Sequence, residues 1–347
     1  MLKFKIRGVL LVDRPWSHEN MDFMKTSKIL NKNILITGGA GFIGSHLVDE
    51  IITHNPNELL VVDNFFLGQD KNLIQARNEK PNLHLLRLDA SDISSMRHVA
   101  KKYNIDYVFD LAIVPLPLSL EYPEWTIRTN VGIVTTFCEL LRHEEVDEML
   151  HFSSSEAYGT ARYIPMDELH PHDAITPYAA SKSAADCIIN SYIQTFGIEA
   201  RIVRPFNNFG PRQNPGSYAG VIPIVVKKIL AGEPIEIYGD GQQTRDFIFV
   251  SETVKAVTDI FNSSKSARIS LNLGTGIETT INELVSRILR ISGNPDHQVV
   301  YKQPRAGDVR RHCADMSRTS EILGYTPTSI MDDQLSATIE WYMKTLR

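Results

Sequence analysis

The chain has 347 residues, a formal net charge of −5, 43% hydrophobic and 22% charged residues. That balance suits a globular enzyme with one large domain and a smaller lobe. It offers no general basic surface for nucleic acid, and no apolar run reaches the about 18 residues of a membrane span. The three cysteines, Cys138, Cys187 and Cys313, show neither close pairing nor metal spacing. A reduced, cytoplasmic compartment and no metal site are therefore expected.

Residues 1–30 read as an extension ahead of the fold. Its apolar run Val9–Val12 is too short for a signal segment and is stopped by Asp13, Arg14 and Pro15. Short apolar runs at 33–37, 59–63, 83–89, 107–111, 149–153 and 200–204 read as buried parallel strands. Helical patterns lie between most of them, including 42–53, 125–143 and 177–196. This alternation predicts an α/β fold with a doubly wound, Rossmann-like parallel sheet. The Asn-, Gly- and Pro-rich segment 205–218 reads as a loop, 222–231 as a helix and 235–238 as a short strand. The expected division is a cofactor domain over 31–205, with 240–265 returning to it. A smaller α/β lobe over 206–239 and 266–347 would receive the substrate.

The run Thr37-Gly-Gly-Ala-Gly-Phe-Ile-Gly44 follows the first strand and opens a helix. Gly38 suits the tight turn, Gly41 the close approach of backbone to a pyrophosphate, and Gly44 the packing of helix on strand. The helix N-terminus then presents N–H groups and partial positive charge to phosphates. Asp63 closes the second strand at the spacing of a ribose-binding acid, and Asn64-Phe65-Phe66 supply no cation for a 2′-phosphate. NAD is therefore the expected cofactor.

Tyr178 and Lys182 are four residues apart in a helical pattern, so they share a face. A neighbouring ammonium favours the phenolate and lowers a tyrosine pKa from about 10, which predicts a base. Upstream, His151-Phe-Ser-Ser-Ser-Glu-Ala-Tyr-Gly159 follows a buried strand at the end where such sheets bind ligands. Ser154, Ser155 and Glu156 are poor core material there and are candidate catalytic groups.

Together these motifs resemble the extended short-chain dehydrogenases/reductases of the nucleotide-sugar epimerase/dehydratase family. The resemblance rests on TGGAGFIG, VVDN, SSSEAYG, YAASK, RPFNNFGPRQ and YGDGQQTRDFIFV, and runs from about residue 32 onward. RAGD at 305–308 resembles the family's RPGD element, with Ala306 in place of proline. It implies Tyr178 as the base at the sugar C4 hydroxyl, Lys182 on the nicotinamide ribose and Ser154 holding the C4 oxygen. It implies Asp89 near the adenine, with Phe42, Ile43, Asn64, Ala90 and Leu111 completing the cofactor site. Asn207, Arg245 and Arg305 are implied to hold the substrate diphosphate. The helices at 125–143 and 177–196 correspond to those that pair in family homodimers.

Glu156 separates the possible reactions. A sugar C5–H beside a C4 ketone is acidic enough for a carboxylate base, and epimerases that work only at C4 have no need of one. Many dehydratases carry Asp before this Glu, where this chain has Ser155. A Ser-Glu pair resembles GDP-mannose dehydratases, UDP-glucuronate decarboxylases and dehydratases of N-acetylglucosamine nucleotides. The leading expectation is an NAD-dependent dehydratase acting on UDP-N-acetylglucosamine or a related nucleotide hexose. A UDP-hexose 4-epimerase is second, a UDP-glucuronate decarboxylase third, and a non-catalytic NAD-binding regulator last. Three departures concern the sugar site: Asp110 stands where the family usually has His, 113–119 is apolar and proline-rich, and the glycine of Asn130-Val-Gly is displaced by one place.

Overall fold

A computed structural model describes residues 27–80, 82–216, 220–304, 309–327 and 331–346. Its centre is a seven-stranded parallel sheet in the order β10-β6-β5-β4-β1-β2-β3. The strands are β1 (Asn33–Thr37), β2 (Glu58–Asp63), β3 (His84–Arg87), β4 (Tyr107–Asp110), β5 (Glu148–Phe152), β6 (Ala200–Pro205) and β10 (Ser270–Leu273). The strand order reverses between β1 and β4, so the crevice at their carboxyl ends is where a ligand is expected. The expected Rossmann-like fold is present.

Each strand sends alternate side chains to opposite faces. Ile34, Ile36, Leu59, Val61 and Phe109 bury one face against α1 (Phe42–Thr53) and α8 (Val250–Asn262). Leu35, Leu60, Val108 and Met149 bury the other against α3 (Ile93–Tyr103), α5 (Pro123–Arg142) and α6 (Pro177–Phe196). The short helices α2 (Ile74–Glu79) and α4 (Leu116–Glu121) lie in the loops after β2 and β4. Local sequence sets the helix ends. Asp92 accepts from the Ser94 and Ser95 amides, and Thr176 caps α6 with Pro177 at its first position, a place where the missing N–H is harmless.

A third apolar cluster builds the smaller lobe. It joins α7 (Val221–Ala231), β8 (Ile235–Tyr238), α9 (Ile281–Ile291) and α11 (Met331–Thr345) through Val225, Ile237, Leu284 and Tyr342. β12 (Val299–Lys302) pairs with β8, and β9 (Thr244–Phe249) lies between β7 (Asn207–Phe209) and β11 (Glu278–Thr280). α10 (Ser317–Leu323) packs back on the main sheet through Ile322 and Leu323.

Three expectations are corrected. The segment 205–218 is not all loop, because Asn207–Phe209 pairs in parallel with Phe247–Phe249. The span 266–347 does not lie wholly in the lobe: Ser270–Leu273 is an edge strand of the main sheet, paired with Ile202–Pro205. The fold starts before residue 31, since Ile29 is fully buried in the first core cluster. Residues 1–26 of the expected extension lie outside the described residues.

Candidate active site

A cleft of about 480 Å³ runs along the carboxyl ends of β1, β2, β4 and β5, within the size range of small-molecule sites. Gly38, Gly41, Phe42, Ile43, Gly44, Asp63, Asn64, Asp89, Ala90 and Leu111 all line it, as do Ser154, Tyr178, Lys182 and Asn207. Residues far apart in the chain therefore share one wall system.

The glycine turn fits a dinucleotide diphosphate. Gly38 has φ +65, and a Cβ on Gly44 would lie 2.2 Å from the Gly38 carbonyl oxygen. Only a side-chain-free backbone makes this turn. Gly41 is the N-cap of α1 and no side chain caps the first amides, which leaves them available to phosphate oxygens. Asp63 accepts from the Ala40 and Phe65 amides at 3.0 and 2.8 Å, which fixes its carboxylate in the cleft wall. Burial raises its pKa, opposed by those two bonds.

The catalytic candidates come from two elements. Ser154 opens a 3-10 turn over Ser155–Tyr158, and its hydroxyl accepts from the Glu156 amide. The turn is anchored by the fully buried Tyr158, whose hydroxyl donates to Asn272 of β10 at 2.7 Å and accepts from Arg204 of β6 at 2.8 Å. Tyr178 stands in the first turn of α6 and hydrogen-bonds the Ser154 hydroxyl. Burial pushes the phenol up to about 12; the Ser154 bond opposes this and the Glu156 charge adds to it. Lys182, one turn on, donates to the Phe152 carbonyl. Burial pushes it down to about 8, against the charges of Asp110 and Asp186. The expectation that Lys182 lowers the tyrosine pKa is therefore not what dominates in this chain: burial outweighs it, and the ammonium is bonded to the Phe152 carbonyl.

Other expected residues lie elsewhere. Ser155 is buried and does not line the cleft; its hydroxyl lies 3.4 Å from His312 Nδ1. Glu156 is partly exposed beyond the cleft wall, close enough to raise the Tyr178 pKa. Arg245 on β9 also lies outside the cleft wall and donates to the Thr244 and Val309 carbonyls at 2.8 and 2.7 Å. Arg305 falls outside the described residues.

Sequence reasoning did not single out Arg212, which lines the cleft and pairs with Asp49 of α1 at 2.6 Å. Its signal was present in RPFNNFGPRQ. Asn72 was also missed; it donates to the Ala40 carbonyl at 2.9 Å and braces the glycine turn. It has no sequence signal, because the contact is purely tertiary.

The NAD dependent epimerase/dehydratase family matches residues 34–274. The chain belongs to this family. It is 34% identical to a putative UDP-glucose 4-epimerase of Methanocaldococcus jannaschii, over 89% of this chain and 97% of that one. A UDP-N-acetylglucosamine 4-epimerase from Methanobrevibacter ruminantium M1, solved with UDP-N-acetylmuramic acid, superposes with a TM-score of 0.84 at 32% identity. It covers 91% of this chain and 99% of its own. DesIV of Streptomyces venezuelae, a dTDP-glucose 4,6-dehydratase solved with NAD and TYD, gives 0.83 at 27% identity, covering 90% and 97%. The family member described here is thus an NAD-dependent epimerase/dehydratase with both reaction types among its relatives. Among the described residues, no helix is long and apolar enough to cross a membrane.

Proposed function

We propose that this protein is a nucleotide-sugar dehydratase acting on UDP-N-acetylglucosamine or a related nucleotide hexose. The observation that carries the reading is Glu156. Its carboxylate belongs to the turn that Ser154 opens, near enough to the Tyr178 phenol for its charge to act there. An enzyme that only oxidises and reduces C4 has no use for a second base beside the tyrosine. One that removes the C5 proton needs it.

Bound NAD supplies a hydride acceptor that is restored in each turnover. Tyr178 takes the C4 hydroxyl proton, with Ser154 holding the C4 oxygen and bonding the phenol. Glu156 takes the C5 proton once C4 is a ketone, and the same group returns a proton to the departing C6 hydroxyl. Ser155 takes no part in this route, since its hydroxyl lies against His312. Asn207 and Arg212 line the cleft and hold the anionic diphosphate. The product would be a 4-keto-6-deoxy sugar if hydride returned to C6 and a solvent-derived proton to C5, or a 5,6-ene if hydride returned to C4 and a proton to its oxygen. We further propose a homodimer through α5 and α6, which pack on each other and leave Ile127 and Phe196 exposed; light scattering measures it.

A 4-epimerase is the second reading, favoured by the similarity to the Methanocaldococcus protein. Mass spectrometry of the product from UDP-N-acetylglucosamine, in heavy water with NAD, separates the two. Loss of one water supports the dehydratase, with deuterium uptake at C5 if the hydride returns to C6 and none if it returns to C4. An unchanged mass with a new 4-epimer overturns it.

A further inference from the structure

Asp110 departs from the family pattern, and the structure shows what it touches. Thr37, Asp110 and His151 are register partners on β1, β4 and β5, so their side chains stand in one row on one face of the sheet. That is the face covered by α5 and α6. The Asp110 carboxylate is fully buried and both its oxygens are engaged. Thr37 Oγ1 donates to one at 2.7 Å and His151 Nδ1 to the other at 2.7 Å. The Thr37 hydroxyl in turn accepts from the Leu111 and Ala112 amides, which begin the loop lining the cleft. His151 precedes Phe152, whose carbonyl receives the Lys182 ammonium.

Lys182 is 3% exposed. Lys182 lies over the same face of the sheet as Asp110 of β4, whose charge acts on it together with that of Asp186 one turn along α6; Tyr178 is one turn back. Asp186 is already paired with the Arg204 guanidinium at 2.8 Å. Asp110 has only a hydroxyl and an imidazole as direct partners among the described residues. Its charge is therefore the one left to serve the lysine.

We propose that Asp110, held in place by Thr37 and His151, is a positioning residue that supplies the buried counter-charge keeping Lys182 protonated against the cofactor. The pair also ties β5 to β4 just below the carbonyl that receives the ammonium. This rests on the assignment of Lys182 to the NAD site.

The test is Asp110→Asn, which keeps the shape and removes the charge. NAD affinity, followed by protein fluorescence, and kcat/KM are measured from neutral to alkaline pH. Losing a nearby negative charge destabilises the ammonium, so the alkaline limb of both profiles moves toward acid by about one pH unit. The NAD titration repeated in a Tyr178→Phe background, which has no phenol there to ionise, should show the same shift and so assigns it to Lys182. If Asp110→Asn does not fold, the Asp110→Asn/His151→Asn protein, whose two amides can bond each other, carries the same expectation. His151→Gln retains the charge and should leave the alkaline limb in place. An alkaline limb that stays put without the carboxylate overturns the inference. If Lys182→Met binds NAD as tightly as the parent, the site assignment itself is wrong, which is a separate outcome.

Discussion

Gly44→Ala tests the cofactor cradle most directly. A Cβ at this position would lie 2.2 Å from the Gly38 oxygen and 2.8 Å from the Gly39 Cα, where ordinary contact begins near 3.4 Å. Both neighbours are backbone atoms, so no rotamer change relieves the clash. The helix must move away from the turn, and overpacking of this kind costs about 1–3 kcal/mol. At about 2–4 °C per kcal/mol, Tm should fall by about 2–12 °C. The same movement carries the first amides of α1 away from the diphosphate, so NAD affinity should fall at least about tenfold, which is 1.4 kcal/mol. Gly41→Ala is the comparison, because its Cβ would lie 3.0 Å from the Gly38 oxygen. That variant should keep most of its stability while still losing affinity at the diphosphate. Thermal melts and NAD titration by fluorescence read both effects. A Gly44→Ala protein with parental Tm and parental NAD affinity would refute the close packing of turn on helix.

Tyr178→Phe should lower kcat by about 10²–10⁴-fold while NAD still binds, as steady-state rates and a fluorescence titration would show. Glu156→Gln should stop deuterium uptake at C5 by mass spectrometry yet still allow C4 oxidation, seen as NADH absorbance. That variant should also show an acid limb moved toward lower pH, because Glu156 raises the Tyr178 pKa and its removal lets the phenolate form sooner. Ser154→Ala should slow turnover far more than Ser155→Ala, since only Ser154 bonds the phenol; equal losses in kcat would return Ser155 to the mechanism. Arg212→Met strands the Asp49 carboxylate, whose pKa burial already raises against the Arg212 charge. Denaturant melts should show a loss of about 1–3 kcal/mol at neutral pH. The deficit should shrink as the pH falls and Asp49 takes up a proton, because the penalty belongs to the charged form.

The strands at 33–37, 58–63, 107–110 and 148–152 were legible because a parallel strand covered on both faces is a short unbroken apolar run. The glycine turn was legible because its steric demands act within eight residues, and Tyr178 with Lys182 because four residues are about one helical turn. β10 was not: Ser270–Leu273 resembles any short apolar stretch, and its place beside β6 is set by a crossover that local pattern does not encode. The three-residue β7 was hidden for the same reason, since it exists only through its pairing with β9.

Sequence by itself determined the family, the cofactor and the residue types at the strand ends, because these depend on short-range spacing. Tertiary structure alone decided which of those residues face the cleft. Adjacent Ser154 and Ser155 read alike, yet one bonds Tyr178 and the other lies against His312, which arrives from more than 150 residues away. Asp110 read as an anomaly until β4 was placed between β1 and β5. Its partners Thr37 and His151 are distant in the chain and adjacent only because the sheet aligns them in register. Electrostatics followed the same rule. Proximity along α6 suggested that Lys182 would govern the tyrosine, whereas burial, a property of the whole fold, set the direction of both shifts.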